Sequence, residues 1–356
     1  MKKFLICNPF GIGDILFTTP VIRAIKDQAP ENTIGYWCNE RAKGIIKNNP
    51  AIDRIFPLSR GDLKKISRES VFRGMREYAG LAFAIKREKY GTFLDFSMDH
   101  RYSLLAKLVG IKRRIGFDYK NRGRFLTDKI TIEGYRDKHV VEHYLELLKP
   151  LGIEPKSLNL EINVPPDDSE RAEEFLARSG VGKGDVVIGM APGAGASWGK
   201  DSGLKHWPAE NYGKLADRLI DNFQASVVLL GDESEKYIAD IISANMKNRP
   251  ANLTVSTSLE ELCAIINELD VLITNDGGPL HIASALGKKT LSFFGPVDPR
   301  IYGPYPFDPK RHIVLRKQLE CSPCYTDFRL EKCLRNKECL ETIDVDSAFE
   351  AVKKLL

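Results

Sequence analysis

Short apolar runs alternate with segments of helical periodicity along most of the chain. The clearest example begins at Val271–Thr274, a run long enough for one buried strand. The turn Asn275-Asp276-Gly277-Gly278 follows, and Pro279 suits the first position of a helix. Apolar residues recur at helical spacing over Leu280–Leu286, and a second apolar run covers Thr290–Phe294. The pattern predicts strand, glycine turn, helix and strand.

The chain opens in the same order. Lys3–Cys7 is an apolar run, a Gly-x-Gly turn follows, and Ile15–Lys26 has helical periodicity with a start or bend expected at Pro20. Further strands are predicted at Asn32–Cys38, Arg54–Leu58, Tyr90–Phe96, Val186–Ala191, Ser226–Leu230 and Leu253–Val255. Further helices are predicted at Arg41–Asn48, Arg60–Lys89 (one or two helices), Tyr102–Val109, Asp137–Leu151, Ser169–Ser179, Ala209–Asn222, Glu233–Met246 and Ser258–Leu269. Strands and helices in alternation indicate doubly wound α/β structure.

A chain of 356 residues is too long for one ordinary core and fits two domains. Pro165-Pro166-Asp167-Asp168 has the composition of a linker, and Ser169 is a candidate cap for the helix behind it. We therefore predict domains at 1–165 and 166–342, followed by a terminal helix at 343–356 capped by Asp344.

Charge is distributed unevenly along the chain. Residues 1–150 contain 29 Lys and Arg against 17 Asp and Glu, whereas the remainder contains 24 and 31. The basic half suits an anionic substrate or an anionic membrane surface, and a merely solvated lysine-rich surface is the alternative. No apolar run approaches the length of a membrane span, and the first residues do not form a signal peptide. We therefore expect a cytoplasmic protein, with no nucleic-acid partner.

Two glycine turns carry the candidate chemistry. A helix N-terminus after a glycine turn presents backbone N–H groups that bind phosphate, and Asp276 and His281 flank the second turn. The alternative is an ordinary turn with Asp276 as a helix cap. At the first turn the third glycine of a dinucleotide fingerprint is missing and Asp14 would repel a pyrophosphate. Asp14 is either a helix cap or a base at the carboxyl edge of the sheet.

Two further clusters have less specific patterns. Lys112, Arg113 and Arg114 are adjacent, which fits a solvated loop or, alternatively, a patch that contacts the acceptor or a membrane. The last 36 residues contain four of the seven cysteines, at Cys321, Cys324, Cys333 and Cys339. Their spacing matches no established zinc pattern, so a thiolate-bound metal is the alternative to unligated thiols.

Three motifs in order resemble glycosyltransferase family 9, the ADP-heptose–lipopolysaccharide heptosyltransferases. The first is Gly11-Ile12-Gly13-Asp14 with Thr18-Thr19-Pro20. The second combines Pro192-Gly193-Ala194, Ser197-Trp198 and Lys205-His206-Trp207-Pro208. The third is Asn275–His281 with Phe294-Gly295-Pro296. The resemblance extends from Lys3 to about Cys339.

The resemblance implies a GT-B architecture, α/β, in which two doubly wound Rossmann-like domains face each other across a cleft. It implies inverting, metal-independent transfer of heptose from ADP-heptose to a lipopolysaccharide core acceptor, an anionic glycolipid at the inner leaflet, with no cofactor. The enzyme would then be cytoplasmic, with peripheral association to the inner membrane as an option.

The resemblance also assigns roles to residues. Asp14 becomes the general base and Lys205 a contact of the donor phosphates. The donor-binding residues it implies are Ser197, Lys205, Glu235 (with Glu233 as the alternate), Asp276, Gly277, Gly278 and His281. The acceptor-side candidates are Gly13, Lys112, Arg113 and Arg114. Two departures from the family pattern are Gly277, where other members carry Thr, and a longer loop before Lys205.

Three other classes compete with this interpretation. A sugar-nucleotide 2-epimerase has the same architecture but needs more acid/base groups than His281 and Asp276 at the donor. A nicotinamide-dependent oxidoreductase lacks its glycine fingerprint here. A non-catalytic sugar-nucleotide-binding protein would have no need of Asp14 and Lys205 together.

Overall fold

The computed structural model describes residues 1–254 and 257–356, and it does not describe the side chains of Arg60, Ala196 and Ser197. The chain divides into two compact units, residues 1–163 and 164–356. The boundary follows Asn163, beside the proline pair. Each unit is α/β.

The first unit is built on one six-stranded sheet of order β3-β2-β1-β4-β5-β6, in which every described pairing is parallel. Its strands are β1 (Lys3–Cys7), β2 (Thr33–Cys38), β3 (Arg54–Pro57), β4 (Thr92–Asp95), β5 (Arg113–Tyr119) and β6 (Asp128–Ile132). Its helices are α1 (Ile12–Leu16), α2 (Thr19–Gln28), α3 (Arg60–Glu69), α4 (Val71–Glu88), α5 (His100–Leu108) and α6 (Val140–Leu145), with 3₁₀ turns at Glu40–Ile45 and Glu146–Leu151.

The helix expected at Ile15–Lys26 is two helices. The break falls at Phe17–Thr18, and Pro20 occupies the first turn of α2, where its missing N–H costs nothing. The segment Arg60–Lys89 also forms two helices, because Ser59 and Ser70 each cap one with a side-chain oxygen. Residues 137–151 form a short helix and a 3₁₀ turn in place of one continuous helix.

The second unit is built on a six-stranded parallel sheet of order β12-β11-β10-β7-β8-β9. Its strands are β7 (Val187–Ala191), β8 (Ser226–Leu229), β9 (Ala251–Asn252), β10 (Val271–Asn275), β11 (Lys289–Phe293) and β12 (His312–Leu315), and β13 (Tyr325–Thr326) pairs with β14 (Arg329–Leu330). Its helices are α7 (Pro166–Arg178), α8 (Ala209–Phe223), α9 (Lys236–Ala244), α10 (Leu259–Glu268), α11 (Gly278–Ala285), α12 (Pro299–Tyr302), α13 (Glu338–Glu341) and α14 (Val345–Leu355).

Several boundaries differ from those expected. Helix α7 begins at Pro166, with Pro165 rather than Ser169 at the cap position, because proline suits the first turn. Pro279 is the second residue of α11, which begins at Gly278. The strand expected at Leu253–Val255 is misplaced, because β9 is Ala251–Asn252 and neither of the next two residues belongs to a strand; residue 255 lies outside the described residues. Asp344 caps α14 as expected, and α14 packs into the core of the second unit.

Both sheets have a topological switch point. The chain moves outward in one direction from β1 through β2 and β3, and in the other from β4 through β5 and β6. The same reversal separates β7 from β10 in the second unit. Ligands of open α/β sheets bind beyond the carboxyl ends of the strands at such points. The two glycine turns singled out above follow β1 and β10, so each lies at a switch point.

Among the described residues, no helix combines the length and the apolar character needed to cross a membrane.

Candidate functional site

Asp14 lies in the single turn of α1 that directly follows β1, with Gly13 one residue before it. Its backbone carbonyl accepts a hydrogen bond of 2.9 Å from the side chain of the buried Asn8. The Oδ2 atom accepts from the backbone N–H of Gly11 at 3.3 Å. This bond caps helix α1, so Asp14 does have the capping role expected of it. The side chain is partly exposed, which leaves it accessible to a substrate.

Tyr144 reaches Asp14 from a point 130 residues further along the chain. Its hydroxyl donates to Asp14 Oδ1 at 3.4 Å, and its ring is fully buried. The rings of Phe96, Phe117 and Tyr135 surround it at centroid distances of 4.7, 6.3 and 6.0 Å. The aromatic packing therefore fixes a donor next to the carboxylate. Tyr144 was not predicted from the sequence, because no local pattern indicates so distant a contact.

Asp95 is a second carboxyl group at the same switch point, and it was not predicted from the sequence. It ends β4 and pairs in register with Cys7, the last residue of β1. It accepts hydrogen bonds from the backbone N–H and the hydroxyl of Ser97 at 2.9 and 2.5 Å. Burial raises the pKa of Asp95 to about 7, although the bonds from Ser97 oppose the shift. The sequence feature that could have identified Asp95 is its position as a carboxylate inside an otherwise apolar strand.

The Lys112–Arg114 cluster lies at the opposite edge of the first sheet. Arg113 begins β5 and pairs with Thr92 at the start of β4, whereas Asp14 follows the end of β1. Arg113 bonds to Asp128 and to the carbonyl of Pro150, and Arg114 bonds to the carbonyls of Phe125, Ile111 and Lys112. These contacts favour a structural role for Arg113 and Arg114.

In the second unit, Lys205 and Asp276 form a buried ion pair. Lys205 Nζ lies 2.6 Å from Asp276 Oδ2, and both side chains are at least nine-tenths buried. The ammonium group also lies over the ring of Trp198, 4.2 Å from its centroid. A lysine ammonium has three donors. The arrangement therefore holds a cation at the carboxyl end of β10 in a largely desolvated place.

Asn275 positions this pair by bridging three segments. Its side-chain Oδ1 accepts from the backbone N–H of Trp207 at 3.0 Å, while its Nδ2 donates to the carbonyl of Pro192 at 2.5 Å. Trp207 stacks on Phe293 with centroids 4.1 Å apart and donates its indole N–H to the carbonyl of Ile343. The Lys205-His206-Trp207-Pro208 motif is thus tied to the turn before α11.

The N-terminus of α11 adds backbone donors to this place. Gly277 is the N-cap, with an extended backbone that any residue adopts, and no side chain caps the helix there. A Cβ at Gly277 would lie 3.4 Å from Ala194 Cα, an ordinary contact, so the surroundings leave room for a β-carbon here. Ser197, predicted to contact the donor, lies outside the residues whose side chains are described.

His281 lies in α11, one turn after the N-cap, and is buried. Burial lowers the pKa of His281 to about 4, Asp276 acts against that shift, and Lys205 acts with it. The imidazole is therefore neutral at physiological pH and adds no charge to the site.

Glu235 lies against the glycine-rich loop that follows β7. Its Oε1 accepts from the backbone N–H of Gly195 at 2.9 Å and its Oε2 from that of Asp232 at 3.4 Å. A Cβ at Gly193 would come within 1.9 Å of Oε1, so only glycine allows the carboxylate this position. Burial raises the pKa of Glu235, and the bond from Gly195 lowers it. Glu233, the alternate, is exposed.

The cysteine-rich segment has no preformed metal site in the part of the chain that the structure describes. Cys321, Cys324, Cys333 and Cys339 are all free thiols. Over residues 1–254 and 257–356, no group of three or more His, Cys, Asp or Glu side chains is arranged to hold a metal ion. Burial and the neighbouring Cys339, Cys333 and Cys321 raise the pKa of Cys324 to about 11, so the four thiols lie near one another without forming a metal site among the described residues.

The buried His281 predicts a dependence of stability on pH. Its pKa falls from 6.5 to about 4 on folding, so the unfolded chain takes up a proton between pH 6.5 and 4 that the folded chain does not. Stability is therefore present above pH 6.5 and lost as the pH falls, by about 2 kcal/mol for this group at pH 5. Thermal unfolding followed by tryptophan fluorescence at pH 7 and 5 tests this: His281→Gln should lose less stability than the wild type on acidification. The raised pKa of Asp95 stabilises the fold on acidification, but it does so equally in the wild type and the variant. Equal losses of stability in the two proteins would contradict the prediction.

Two parallel six-stranded sheets with flanking helices, each with a glycine turn at its switch point, define the α/β class of the GT-B glycosyltransferases. The model of glycosyltransferase family 9 (heptosyltransferase) matches residues 79–335, which is more than half of the chain. The chain belongs to glycosyltransferase family 9, and it is a glycosyltransferase. This result confirms the resemblance and replaces the epimerase, oxidoreductase and non-catalytic alternatives.

Individual relatives are distant but match along almost their whole length. The lipooligosaccharide heptosyltransferase 2 of Haemophilus influenzae is 25% identical over 320 residues, 88% of each chain. A crystal structure of a family 9 glycosyl transferase from Veillonella parvula superposes with a TM-score of 0.82 at 23% identity, covering 99% of this chain and 97% of that one. A heptosyltransferase from Escherichia coli, determined with ADP, gives 0.74 at 18% identity, with coverages of 99% and 100%.

Proposed function

We propose that this glycosyltransferase transfers heptose from ADP-heptose to a lipopolysaccharide core acceptor, with inversion at the anomeric carbon. The observation that carries the proposal is the buried Lys205 ammonium beside the N-terminus of α11. A cation and free backbone N–H groups together suit a pyrophosphate. The relatives named heptosyltransferases support the choice of sugar.

The first unit supplies the base in this proposal. Inverting transfer requires a group that accepts the proton of the acceptor hydroxyl as the new glycosidic bond forms. Asp14 is partly exposed at the carboxyl edge of its sheet, and one of its oxygens is oriented by Gly11 while Tyr144 donates to the other. These two donors hold the carboxylate in one orientation.

The second unit stabilises the leaving group. Negative charge develops on the pyrophosphate as the bond to the sugar breaks, and fixed donors directed at that charge lower the barrier. Lys205 provides the positive charge, and the backbone around Gly277 and Gly278 provides N–H donors. Asp276 holds Lys205 in place, and the neutral His281 leaves the local charge unchanged. Lys205 and the helix N-terminus supply this stabilisation themselves, so the proposed chemistry is metal-independent and uses no cofactor.

Glu235 binds the nucleoside part of the donor in this proposal. Its carboxylate lies against Gly193 and Gly195, just beyond the carboxyl end of β7, the strand that borders the switch point. A partly buried carboxylate is a suitable acceptor for ribose hydroxyls. The acceptor substrate is an anionic glycolipid presented at the inner leaflet of the membrane, and the excess of basic residues in the first 150 positions favours such a partner.

Calorimetric titration with ADP, UDP and GDP in the absence of added metal tests the donor. Glu235 and Lys205 would contact the ribose and diphosphate of any of the three nucleotides, so the expected preference for ADP rests on the relatives, which are named heptosyltransferases and include one determined with ADP. A Glu235→Gln variant should bind ADP more weakly and bind inorganic pyrophosphate as the wild type does, since Lys205 and the α11 N-terminus remain.

Two results would contradict this proposal. Preferential binding of UDP or GDP would move the enzyme to another sugar nucleotide. Equal loss of ADP and pyrophosphate in Glu235→Gln would mean that Glu235 supports the loop rather than the nucleoside. If ADP binds preferentially, incubation with ADP-heptose and a core acceptor tests transfer directly.

A further inference from the structure

Helix α4 carries an apolar stripe that is largely exposed to solvent. Phe72, Met75 and Phe83 are 86, 65 and 70% exposed, and the exposed Ala79 lies between the last two. Spacings of three, four and four residues place these four side chains on one face of the helix. We call this face the α4 stripe. In a folded protein an apolar face at helical spacing ordinarily points to the core, so this one needs an explanation.

The core-facing side of the same helix is already defined. Leu81 and Ile85 are buried in the hydrophobic core of the first unit. Gly74 packs closely against α3, where a Cβ would meet Ser67 Oγ at 2.1 Å. The helix is therefore fixed by one face while the α4 stripe stays outside, and the exposure does not come from a loosely attached segment.

Cations border the α4 stripe. Arg76 follows Phe72 by four residues, and Arg87 follows Phe83 by four, so each is a neighbour of the stripe on the helix surface. The whole segment 60–89, which comprises α3 and α4, contains nine Lys and Arg against four Asp and Glu. A helix with aromatic residues on one face and basic residues beside them typically binds in the interface of an anionic bilayer.

We propose that the α4 stripe docks this enzyme on an anionic lipid surface. Phe72 and Phe83 enter the boundary between headgroups and acyl chains, and the neighbouring arginines contact lipid phosphates. A second copy of the chain fits this surface less well, because it would bring the same positive charge against it. The α4 stripe would bring the enzyme to the membrane-bound acceptor of the proposed function. This docking does not depend on which sugar is transferred.

Co-sedimentation of the full chain with lipid vesicles tests the proposal. We expect binding to vesicles of phosphatidylglycerol and phosphatidylcholine in equal parts, weaker binding to phosphatidylcholine alone, and loss of binding at high salt. Phe72→Ser should lower the affinity for the mixed vesicles ~10-fold, and Phe72→Ser with Phe83→Ser ~100-fold. The matched control is Phe307→Ser in the second unit, which changes an aromatic residue that is 58% exposed and should leave vesicle binding unchanged.

The possible results distinguish a lipid surface from a second copy of the chain as the partner of the α4 stripe. They also distinguish this proposal from the proposed function. Wild-type protein that stays in the supernatant with anionic vesicles would overturn the docking surface, as would an equal loss of binding in Phe307→Ser. Dimerisation in size-exclusion chromatography that disappears in Phe72→Ser would assign the α4 stripe to a second copy instead. Thermal unfolding of the same variants reports their folding, and ADP binding tests the donor independently, so either proposal can fail alone.

Discussion

Asp14→Asn is expected to lower the rate of sugar transfer by roughly 10²–10⁴-fold, the range typical for loss of a general base. Asparagine is nearly isosteric, and its carbonyl oxygen can still accept the hydrogen bond that Gly11 donates at 3.3 Å. The change therefore removes the basic oxygen and retains much of the local structure. Initial rates of ADP release with saturating donor and acceptor measure the effect, and the affinity for ADP should be unchanged.

The structure offers a matched control for the alternative role of Asp14. Asp62 holds the corresponding position in α3, where its Oδ2 accepts from the N-cap residue Ser59 at 2.7 Å. If Asp14 is only a helix cap, Asp14→Asn and Asp62→Asn should each cost about 0.3–1 kcal/mol of stability, through loss of a negative charge near the helix N-terminus, and leave transfer almost intact. A large rate loss in Asp14→Asn alone assigns the base, whereas near-normal transfer in both variants would remove Asp14 from the mechanism.

The hydrophobic pattern predicted the central strands of both sheets, missed three outer strands and placed a fourth, β9, beyond its observed end at Asn252. Strands β1, β7 and β10 are continuous apolar runs because helices cover both faces of a parallel sheet. Strands β5, β6 and β12 were not predicted. β5 begins with two arginines that bond to carbonyls and a carboxylate, and β6 alternates partly buried with exposed residues, so neither is a continuous apolar run.

The residues of the candidate site likewise fall into those that a local motif predicts and those that only the tertiary fold brings together. Asp14, Lys205, Asp276 and His281 belong to short motifs, and the structure brings the last three together. Asn275 stood inside a motif, but its bond to Trp207 joins residues 68 positions apart. Tyr144 and Asp95 had no motif, since their importance comes only from the strand order that brings them near β1. Contacts of this kind depend on topology, which periodicity does not encode.

Lys205→Met is expected to have two separate effects, on donor binding and on stability. Loss of a charged contact to the diphosphate should weaken ADP binding roughly 10- to 100-fold. Removal of the ammonium also leaves Asp276 as a buried carboxylate without the cation 2.6 Å away, which ordinarily costs about 3–5 kcal/mol. Calorimetry with ADP and thermal unfolding measure the two effects on the same sample.

The double variant Lys205→Met with Asp276→Asn distinguishes these effects. Replacing both partners removes the uncompensated charge, so most of the lost stability should return, as it does when a buried ion pair is exchanged for neutral groups. ADP affinity should remain low, because the cation that faces the pyrophosphate is still missing. Recovery of ADP affinity together with stability would show that the Lys205–Asp276 pair only maintains the fold, and the leaving-group role would then pass to the N-terminus of α11.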